Sequence, residues 1–316
     1  MGKIKCPLIR NANKYQKFNN ISSSLRKNFV DLAIKESFTF FSNFFNDKSI
    51  KKYNFKLLTN EYCRIIKNAY DFNLFKVGGI SEKDFLLLWC FHKYFNADYY
   101  IESGVYIGSS LYAAISGTQN AKIIGIDPNL KNIKLPKDLI AKCNLINDKD
   151  FSEINFTEIN TKKSIVFFDD HINAADRIIE SFNKGFKYLI FDDANGLEGI
   201  SQRLYPAFPS IPIIINSNLI STKDEFHWIY KQRIIEKEVF PNKLNILKKI
   251  YKIIKGNNST LVRAEFSEKL LEKCLFAKSL IQRSIILPDL GDYILPTNPL
   301  NISINQRKYL IQLNQK

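Results

Sequence analysis

Residues 98–117, DYYIESGVYIGSSLYAAISG, hold a short apolar run, a glycine turn and a helical stretch in direct succession. The run 99–103 is predicted as a strand, and Gly104 lets the backbone turn sharply after it. A helix is predicted over 109–116, and Gly117 closes it. A strand, a tight turn and a helix in this order form the first unit of an α/β fold.

The same alternation continues along the chain. Four more short apolar runs, each ending in an acidic residue, are 122–127 (KIIGID), 143–148 (CNLIND), 164–169 (SIVFFD) and 187–192 (KYLIFD). A helix is predicted over 172–184, and 211–216 (IPIIIN) is a candidate sixth strand. Continuous apolar strands separated by helices are typical of a parallel sheet covered on both faces. The predicted fold class is therefore α/β, a Rossmann-like, doubly wound, mostly parallel sheet with helical N- and C-terminal extensions.

Three regions are predicted: a basic, largely helical extension (1–78), a Rossmann-like catalytic core (79–216) and a basic, partly helical region (217–316). Ser81 followed by Asp84 is a capping-box pattern for a buried helix at the start of the core. A basic amphipathic helix over 243–255 has the pattern of a helix on an anionic membrane, although packing on its own domain is the favoured interpretation. A second helix, 268–283, has Ser267 as its cap.

Composition narrows the class of protein. With 45% hydrophobic residues among 316, the chain is expected to bury a core, which excludes disorder as its main state. The net charge of +15 divides into +9 for residues 1–75, −3 for 76–200 and +9 for 201–316. AT-rich codon usage explains this better than a selected basic surface. Five scattered cysteines, without a CxxC or Cys/His pair, indicate reduced thiols in a cytoplasmic protein, and neither a signal peptide nor a membrane span is predicted.

Acidic residues mark the ends of the predicted strands. Because ligands of open α/β sheets bind beyond the carboxyl ends of the strands, these side chains are expected to line a single crevice. They are Glu102, Asp127, Asp148 or Asp150, Asp169, Asp170, Asp192 and Asp193. So many carboxylates in one place are unfavourable unless helix N-termini, a cationic ligand or a metal ion compensate them.

The first glycine turn reads E-S-G-V-Y-I-G-S over 102–109 and lacks the third glycine of a pyrophosphate-binding loop. It resembles motif I of the class I S-adenosylmethionine (SAM)-dependent methyltransferases. The resemblance implies a SAM site, with the loop Glu102, Gly104, Gly108 and Ser109 under the methionine part of the cofactor. Asp127, 19 residues after Gly108, is then expected at the ribose hydroxyls, and Asp148 or Asp150 at the adenine.

The second motif consists of two acidic pairs, Asp169-Asp170-His171 and Asp192-Asp193, separated by one strand–helix–strand passage of 23 residues. It is similar to the metal-dependent sugar O-methyltransferases and the related cephalosporin-hydroxylase-like and rhamnosyl-methyltransferase-like proteins. The resemblance implies Mg²⁺ held by Asp169, Asp192 and Asp193, with Asp170 or His171 as the base. Because the family pattern is D-x-D, whether Asp169 or Asp170 binds the metal stays open.

Each motif also has a simpler interpretation, since an Asp directly after a strand is often the N-cap of the next helix. Our first hypothesis is a SAM-dependent O-methyltransferase acting on a small hydroxylated acceptor, a sugar or glycoconjugate, with Mg²⁺ assistance. A second is an RNA methyltransferase that uses the basic flanks, although they show no nucleic-acid-binding motif. A third is a catalytically degenerate binding or scaffold protein. The sequence does not indicate an oligomeric state.

Overall fold

A computed structural model describes residues 23–47, 52–75, 79–192, 209–223, 225–231, 259–290 and 308–315. The helices in these ranges are α1 (Ser23–Phe45), α2 (Phe55–Asp71), α3 (Glu82–Phe95), α4 (Ser109–Gly117), α5 (Lys137–Ile140), α6 (Ala174–Asn183), α7 (Ile211–Ile215) and α8 (Glu268–Ser279). The strands are β1 (Tyr99–Ser103), β2 (Lys122–Ile126), β3 (Cys143–Ile146), β4 (Ser164–Phe168), β5 (Tyr188–Phe191), β6 (Glu225–Lys231), β7 (Ser259–Glu265), β8 (Ile281–Ile286) and β9 (Tyr309–Leu313).

Seven strands form the main sheet in the order β3-β2-β1-β4-β5-β9-β8. Strands β1 to β5 are parallel, whereas β9 runs antiparallel to both of its neighbours. The order reverses between β1 and β4, which is the topological switch point of a doubly wound sheet. The predicted class, a Rossmann-like and mostly parallel sheet, is confirmed. Strands β6 and β7 pair with each other in a separate antiparallel sheet.

Both faces of the main sheet are buried, because neighbouring residues of its strands belong to different hydrophobic clusters. Tyr100 packs with α1 to α4 on one face, and Ile101 packs with α6, α7 and α8 on the other. Strand β4 divides in the same way, with Phe167 in the first cluster and Val166 in the second. This two-sided burial explains why the strands are continuously apolar.

The helices before the sheet fold onto it. Helix α3 begins as predicted, with the Ser81 side chain accepting a hydrogen bond from the Asp84 amide at 3.3 Å. It packs between α1 and α4, and an aromatic group that includes Phe38, Phe41 and Phe91 joins it to α1. The described part of the N-terminal extension therefore shares the core of the predicted catalytic region.

Several boundaries differ from the prediction. The run 211–216 contains helix α7 (Ile211–Ile215) and no strand. Proline at Pro212 fits the first turn of a helix, with Ser210 as the N-cap, but it cannot donate in a sheet ladder. Helix α6 begins after the N-cap Asn173, two residues later than expected. Helix α8 has the predicted cap Ser267 but ends at Ser279.

The region after residue 217 contributes two strands to the main sheet, β8 and β9. Residues 281–283, which were predicted as helix, belong to β8. The short run Tyr309–Leu313 forms β9. The predicted basic helix over 243–255 lies outside the described residues. Among the helices that are described, none is long and apolar enough to cross a membrane.

Strand β9 connects β8 to the rest of the sheet, so its core residues should be important for stability. Leu310 is fully buried and pairs with Ile190 and Ile285. We expect Leu310→Ala to lower the free energy of unfolding by about 2–5 kcal/mol in urea titrations. The control is Gln312→Ala, which removes a surface contact to Gln282 and should change stability by about 0.5 kcal/mol or less. Equal stability of the two variants would contradict the placement of β9.

Candidate functional site

The ends of the parallel strands lie side by side. Ser103 of β1 is in register with Ile126 of β2 and Phe168 of β4, and Phe168 is in register with Phe191 of β5. The residues directly after these strands therefore emerge at one edge of the sheet, and they are Gly104, Asp127, Asp169 and Asp192. The structure brings these predicted site residues together on both sides of the switch point.

The turn between β1 and α4 requires glycine at Gly104. Its φ is +94°, a region that side chains disfavour, and a Cβ atom there would lie 2.3 Å from the carbonyl oxygen of Asp169. Gly108, with φ +87°, is the N-cap of α4 and has no side chain to occupy the helix N-terminus. The exposed Tyr106 between them also has a positive φ of +47°. The turn thus exposes Tyr106, whereas Val105 and Ile107 are buried, and it packs against the backbone at the end of β4.

Asp127 fixes the shape of this loop. One carboxylate oxygen accepts hydrogen bonds from the amides of Val105 and Tyr106 at 2.9 and 2.8 Å, and the other accepts from the Asn129 amide at 2.7 Å. A carboxylate has about four acceptor positions, so about one stays available for a ligand hydroxyl. Asp127 therefore holds the loop, and a ribose diol would have to share its oxygens with backbone amides.

Glu102 is fully buried beneath the loop. Its carboxyl accepts hydrogen bonds from the hydroxyls of Tyr100 at 2.7 Å and Ser110 at 2.5 Å. Burial raises the pKa of Glu102 to about 8, assisted by the charges of Asp127 and Asp192, although the two hydroxyls act in the opposite direction. At neutral pH this side chain is mostly uncharged and supports the loop from below.

Two other residues predicted at the cofactor differ in their surroundings. The Ser109 hydroxyl is buried and donates to the carbonyl oxygen of Leu74 at 2.7 Å, so it anchors the start of α4 to the segment after α2. Asp148 is exposed beyond β3. Neither arrangement gives the side chain a direct role in shaping the loop.

A buried arginine forms ion pairs with three carboxylates near the ends of β3 and β4. Arg177 of α6 is 1% exposed and binds both oxygens of Asp150, at 2.9 and 2.6 Å. It also contacts Asp170 at 2.9 Å and Glu180 at 2.8 Å. The guanidinium hydrogen bonds hold the pKa of Asp150 well below its usual range. Asp150 is therefore an ion-pair partner of Arg177 at the place where an adenine contact was expected.

Asp170, one of the two predicted bases, belongs to the same cluster. Besides Arg177, it accepts from the Ser103 hydroxyl at 2.6 Å and from the Ile172 amide at 3.2 Å. It does not cap α6, since Asn173 accepts the amides at the helix start. The neighbouring His171 has a positive φ of +56° and lines a small cavity with Asp192.

The fifth strand ends at a buried ion pair that the sequence analysis did not foresee. Asp192 is 8% exposed, and one of its carboxylate oxygens contacts the ammonium of Lys308 at 2.7 Å. Lys308, which is 2% exposed, also lies 3.4 Å from a carboxylate oxygen of Asp84 in the first turn of α3. Burial lowers the pKa of Lys308, but the charges of Asp192, Asp84 and Asp169 outweigh it, and the net direction is upward.

The described part of the donor set at this position fits a resident metal ion poorly. Of the three expected ligands, Asp192 is bound to an ammonium group, and Asp193 lies outside the described residues. Within the described ranges, no three His, Cys, Asp or Glu side chains are grouped so that they could hold a metal. A divalent cation needs several free oxygen ligands, and here a lysine is bound to one of them.

Arg177 and Lys308 are the functional residues that the sequence reasoning missed. Arg177 occurs on a buried, uncharged helix face with Ala174, Ile178 and Ser181, which is an unusual position for a charge. That pattern could have indicated a buried ion pair. Lys308 has only a weak signal, because it precedes a short apolar run far from the rest of the site in sequence.

No family model and no curated protein matches the chain. Solved structures that match the chain include an O-methyltransferase from Bacillus cereus in complex with SAH, at 8% identity and a TM-score of 0.39, covering 81% of this chain and 91% of that one. TomG, an O-methyltransferase from Streptomyces achromogenes in complex with SAM, has 10% identity and a TM-score of 0.37, covering 54% and 82%. A CmcI structure with Mg and SAM has 24% identity and a TM-score of 0.26; the match covers 31% of this chain and 46% of that one. These sequence identities and TM-scores are too low to assign a function, so the function has to be inferred from the residues of the site.

Removal of the Arg177 guanidinium tests whether it compensates the carboxylates. We expect Arg177→Met to lower the free energy of unfolding by about 3–5 kcal/mol, because three carboxylates lose their buried cation. The pKa of Asp150 is lower in the folded chain than in the unfolded one. Its contribution to the free energy of unfolding is therefore present above the unfolded pKa and is lost as the pH falls below about 4. Urea titrations at neutral and acidic pH should show a smaller difference between wild type and variant at acidic pH. Exposed Lys162→Met is the control, and an equal effect of both variants would contradict the role of Arg177.

The raised pKa of Glu102 predicts a pH-dependent stability. The folded-state pKa is about 8, against a model value of 4.5, so the folded chain binds one proton more between these values. The stabilisation that this proton gives to the folded chain is fully present below about pH 4.5 and is lost as the pH rises through about 8. Relative to wild type, Glu102→Gln should therefore gain stability with rising pH, by at most about 1.4 kcal/mol per unit.

The measurement is chemical denaturation of wild type and Glu102→Gln at several pH values across this window. The difference between the two proteins cancels the titration of other groups. Exposed Glu158→Gln serves as the control and should show no such trend. A constant difference between Glu102→Gln and wild type would show that Glu102 is ionised throughout.

Proposed function

We propose that the chain is a SAM-dependent methyltransferase that methylates a hydroxyl group of a small polyhydroxylated or sugar-containing acceptor. The observation that carries the proposal is the loop after β1, which turns at the positive-φ residues Gly104 and Gly108 and is shaped by the Asp127 carboxylate from the end of β2. This places backbone amides, a helix N-terminus and a carboxylate at the switch point of the sheet, where ligands of doubly wound folds bind.

The charge of the crevice supports a cationic cofactor over a phosphate-containing one. Asp127, Asp169 and Asp192 emerge at the same edge, and their combined potential disfavours a pyrophosphate. The loop also lacks the third glycine of the pyrophosphate-binding pattern. When bound, SAM supplies an electrophilic methyl group on a positively charged sulfur, which suits an acidic site.

The acceptor is expected beside the ends of β4 and β5. A small cavity there, of about 20 Å³, is lined by the polar residues Asp169, His171, Asp192 and Ser210 together with apolar residues. It has room for about one water molecule, so the acceptor itself is proposed at the open edge beside this cavity, where these polar groups can meet its hydroxyl groups. For the proton of the reacting hydroxyl, His171 is the favoured base, because Asp170 already accepts hydrogen bonds from Arg177, Ser103 and the Ile172 amide. His171 then holds the proton while the methylated product leaves. The cytoplasmic location expected from the sequence is part of this proposal.

Binding of S-adenosylhomocysteine, the product form of the cofactor, tests the proposal. We expect calorimetry to show stoichiometric binding to wild type and at least about tenfold weaker binding to Asp127→Ala, because the loop loses the acceptor that orders it. The control is Asp138→Ala, a change at an exposed position on α5. Ligand-induced stabilisation in thermal melts, about 2.7 kcal/mol at a hundredfold excess over Kd, confirms binding independently.

No binding by wild type, with or without Mg²⁺, would refute a SAM-dependent enzyme. If binding is observed, methyl transfer from labelled SAM is then measured with sugars, catechols and RNA as acceptors. Transfer to sugars supports the acceptor class, and transfer to RNA alone contradicts it.

A further inference from the structure

We propose that the ammonium group of Lys308 takes the place of a divalent metal ion at the ends of β4 and β5, so that this site functions without metal. The inference deepens the proposed function and rests on it for its relevance to methyl transfer. Its structural basis is the buried contact of Lys308 with Asp192 and Asp84. The magnesium expected from sequence resemblance is then replaced by a cation that the chain itself carries.

The position of the ammonium carries the argument. Asp192 follows β5 directly, at the strand end where the resemblance implies a metal ligand. Its carboxylate contacts Lys308 at 2.7 Å, a charge-assisted hydrogen bond. Asp84 approaches the same ammonium at 3.4 Å from α3, and the charge of Asp169 also acts on Lys308. One cation thus contacts carboxylates from two separate elements of the fold, as a bridging metal ion would.

Burial makes this cation hard to displace. Lys308 is 2% exposed and Asp192 is 8% exposed, so the pair is shielded from water and from mobile ions. A divalent ion on Asp192 would repel the adjacent ammonium, and displacing the ammonium would leave the charge of Lys308 buried without a partner, at a cost of several kcal/mol. The carboxyl of Asp84 is likewise engaged, since it accepts from the Ser81 hydroxyl at 2.6 Å.

The fold holds Lys308 at this point through its backbone. Lys308 immediately precedes β9, whose first residue Tyr309 pairs with Phe191, the last residue of β5. The Lys308 carbonyl also accepts from the Leu287 amide at 2.8 Å. The ladder therefore sets Lys308 beside Asp192, and we assign it as a positioning residue that fixes this carboxylate toward the cavity beside the acceptor.

Metal dependence of the wild type is the first test. Titration of Mn²⁺ into wild-type protein should show no stoichiometric site, and S-adenosylhomocysteine should bind equally well in excess Mg²⁺ and in EDTA. Stoichiometric Mn²⁺ binding, or cofactor binding that needs the metal, would overturn the inference and leave the proposed function intact. Because the Mn²⁺ titration needs no cofactor, it decides the inference even if S-adenosylhomocysteine does not bind at all.

Variants of Lys308 provide the second test. In Lys308→Met, Asp84 and Asp192 lose their cation, so Mn²⁺ affinity should rise at least about tenfold over wild type, and Mn²⁺ should raise the thermal midpoint. Lys308→Arg keeps the charge and should gain no Mn²⁺ site. The matched control is Lys273→Met, which removes an ammonium 2.7 Å from the single carboxylate of Asp176. A folded Lys308→Met protein without Mn²⁺ binding would overturn the inference, and if it does not fold, the wild-type titration decides.

Discussion

Electrostatic repulsion at one edge of a parallel sheet is the constraint on which the rest of this structure depends. Because the carboxyl ends of β1, β2, β4 and β5 are in register, the acidic residues after them emerge close together. The chain meets this cost in three ways. It leaves Glu102 mostly protonated, gives backbone amides to Asp127, and places buried cations beside three further carboxylates, Arg177 beside Asp150 and Asp170, and Lys308 beside Asp192.

Because of the two buried cations, the site is complete only when the fold is complete. Arg177 reaches the edge only when α6 packs on the sheet, because its guanidinium must meet Asp150 after β3 and Asp170 after β4. Lys308 reaches it only when β9 has paired with β5. Local unfolding of either element would leave uncompensated carboxylates at the crevice. Stability of the sheet and the electrostatic potential of the site are therefore coupled.

The sequence was sufficient for features that depend on local pattern, and insufficient for those that depend on distant pairing. Strands β1 to β5 and the glycine turn follow from short apolar runs and from positions where only glycine fits. The run 211–216 was misjudged because its apolar residues suit a strand, whereas Ser210 and Pro212 favour a helix start. Strand β9 was missed because five residues carry too little periodicity. The Lys308 pair joins residues 116 positions apart, a separation at which a single sequence gives no signal.

The remaining imbalance of charge indicates what kind of ligand completes the site. Among the described residues, five carboxylates, those of Asp84, Asp150, Asp170, Glu180 and Asp192, contact two buried cations, Arg177 and Lys308. The edge therefore stays acidic after internal compensation, and it attracts cations and repels phosphates. Both buried cations lie toward β3, β4 and β5. On the side near the glycine loop, the described contacts of Asp127 are hydrogen bonds from backbone amides. A cationic ligand is consequently favoured on the loop side, with neutral hydroxyl groups on the Lys308 side, which is the division that transfer of a methyl group from a sulfonium to an alcohol requires.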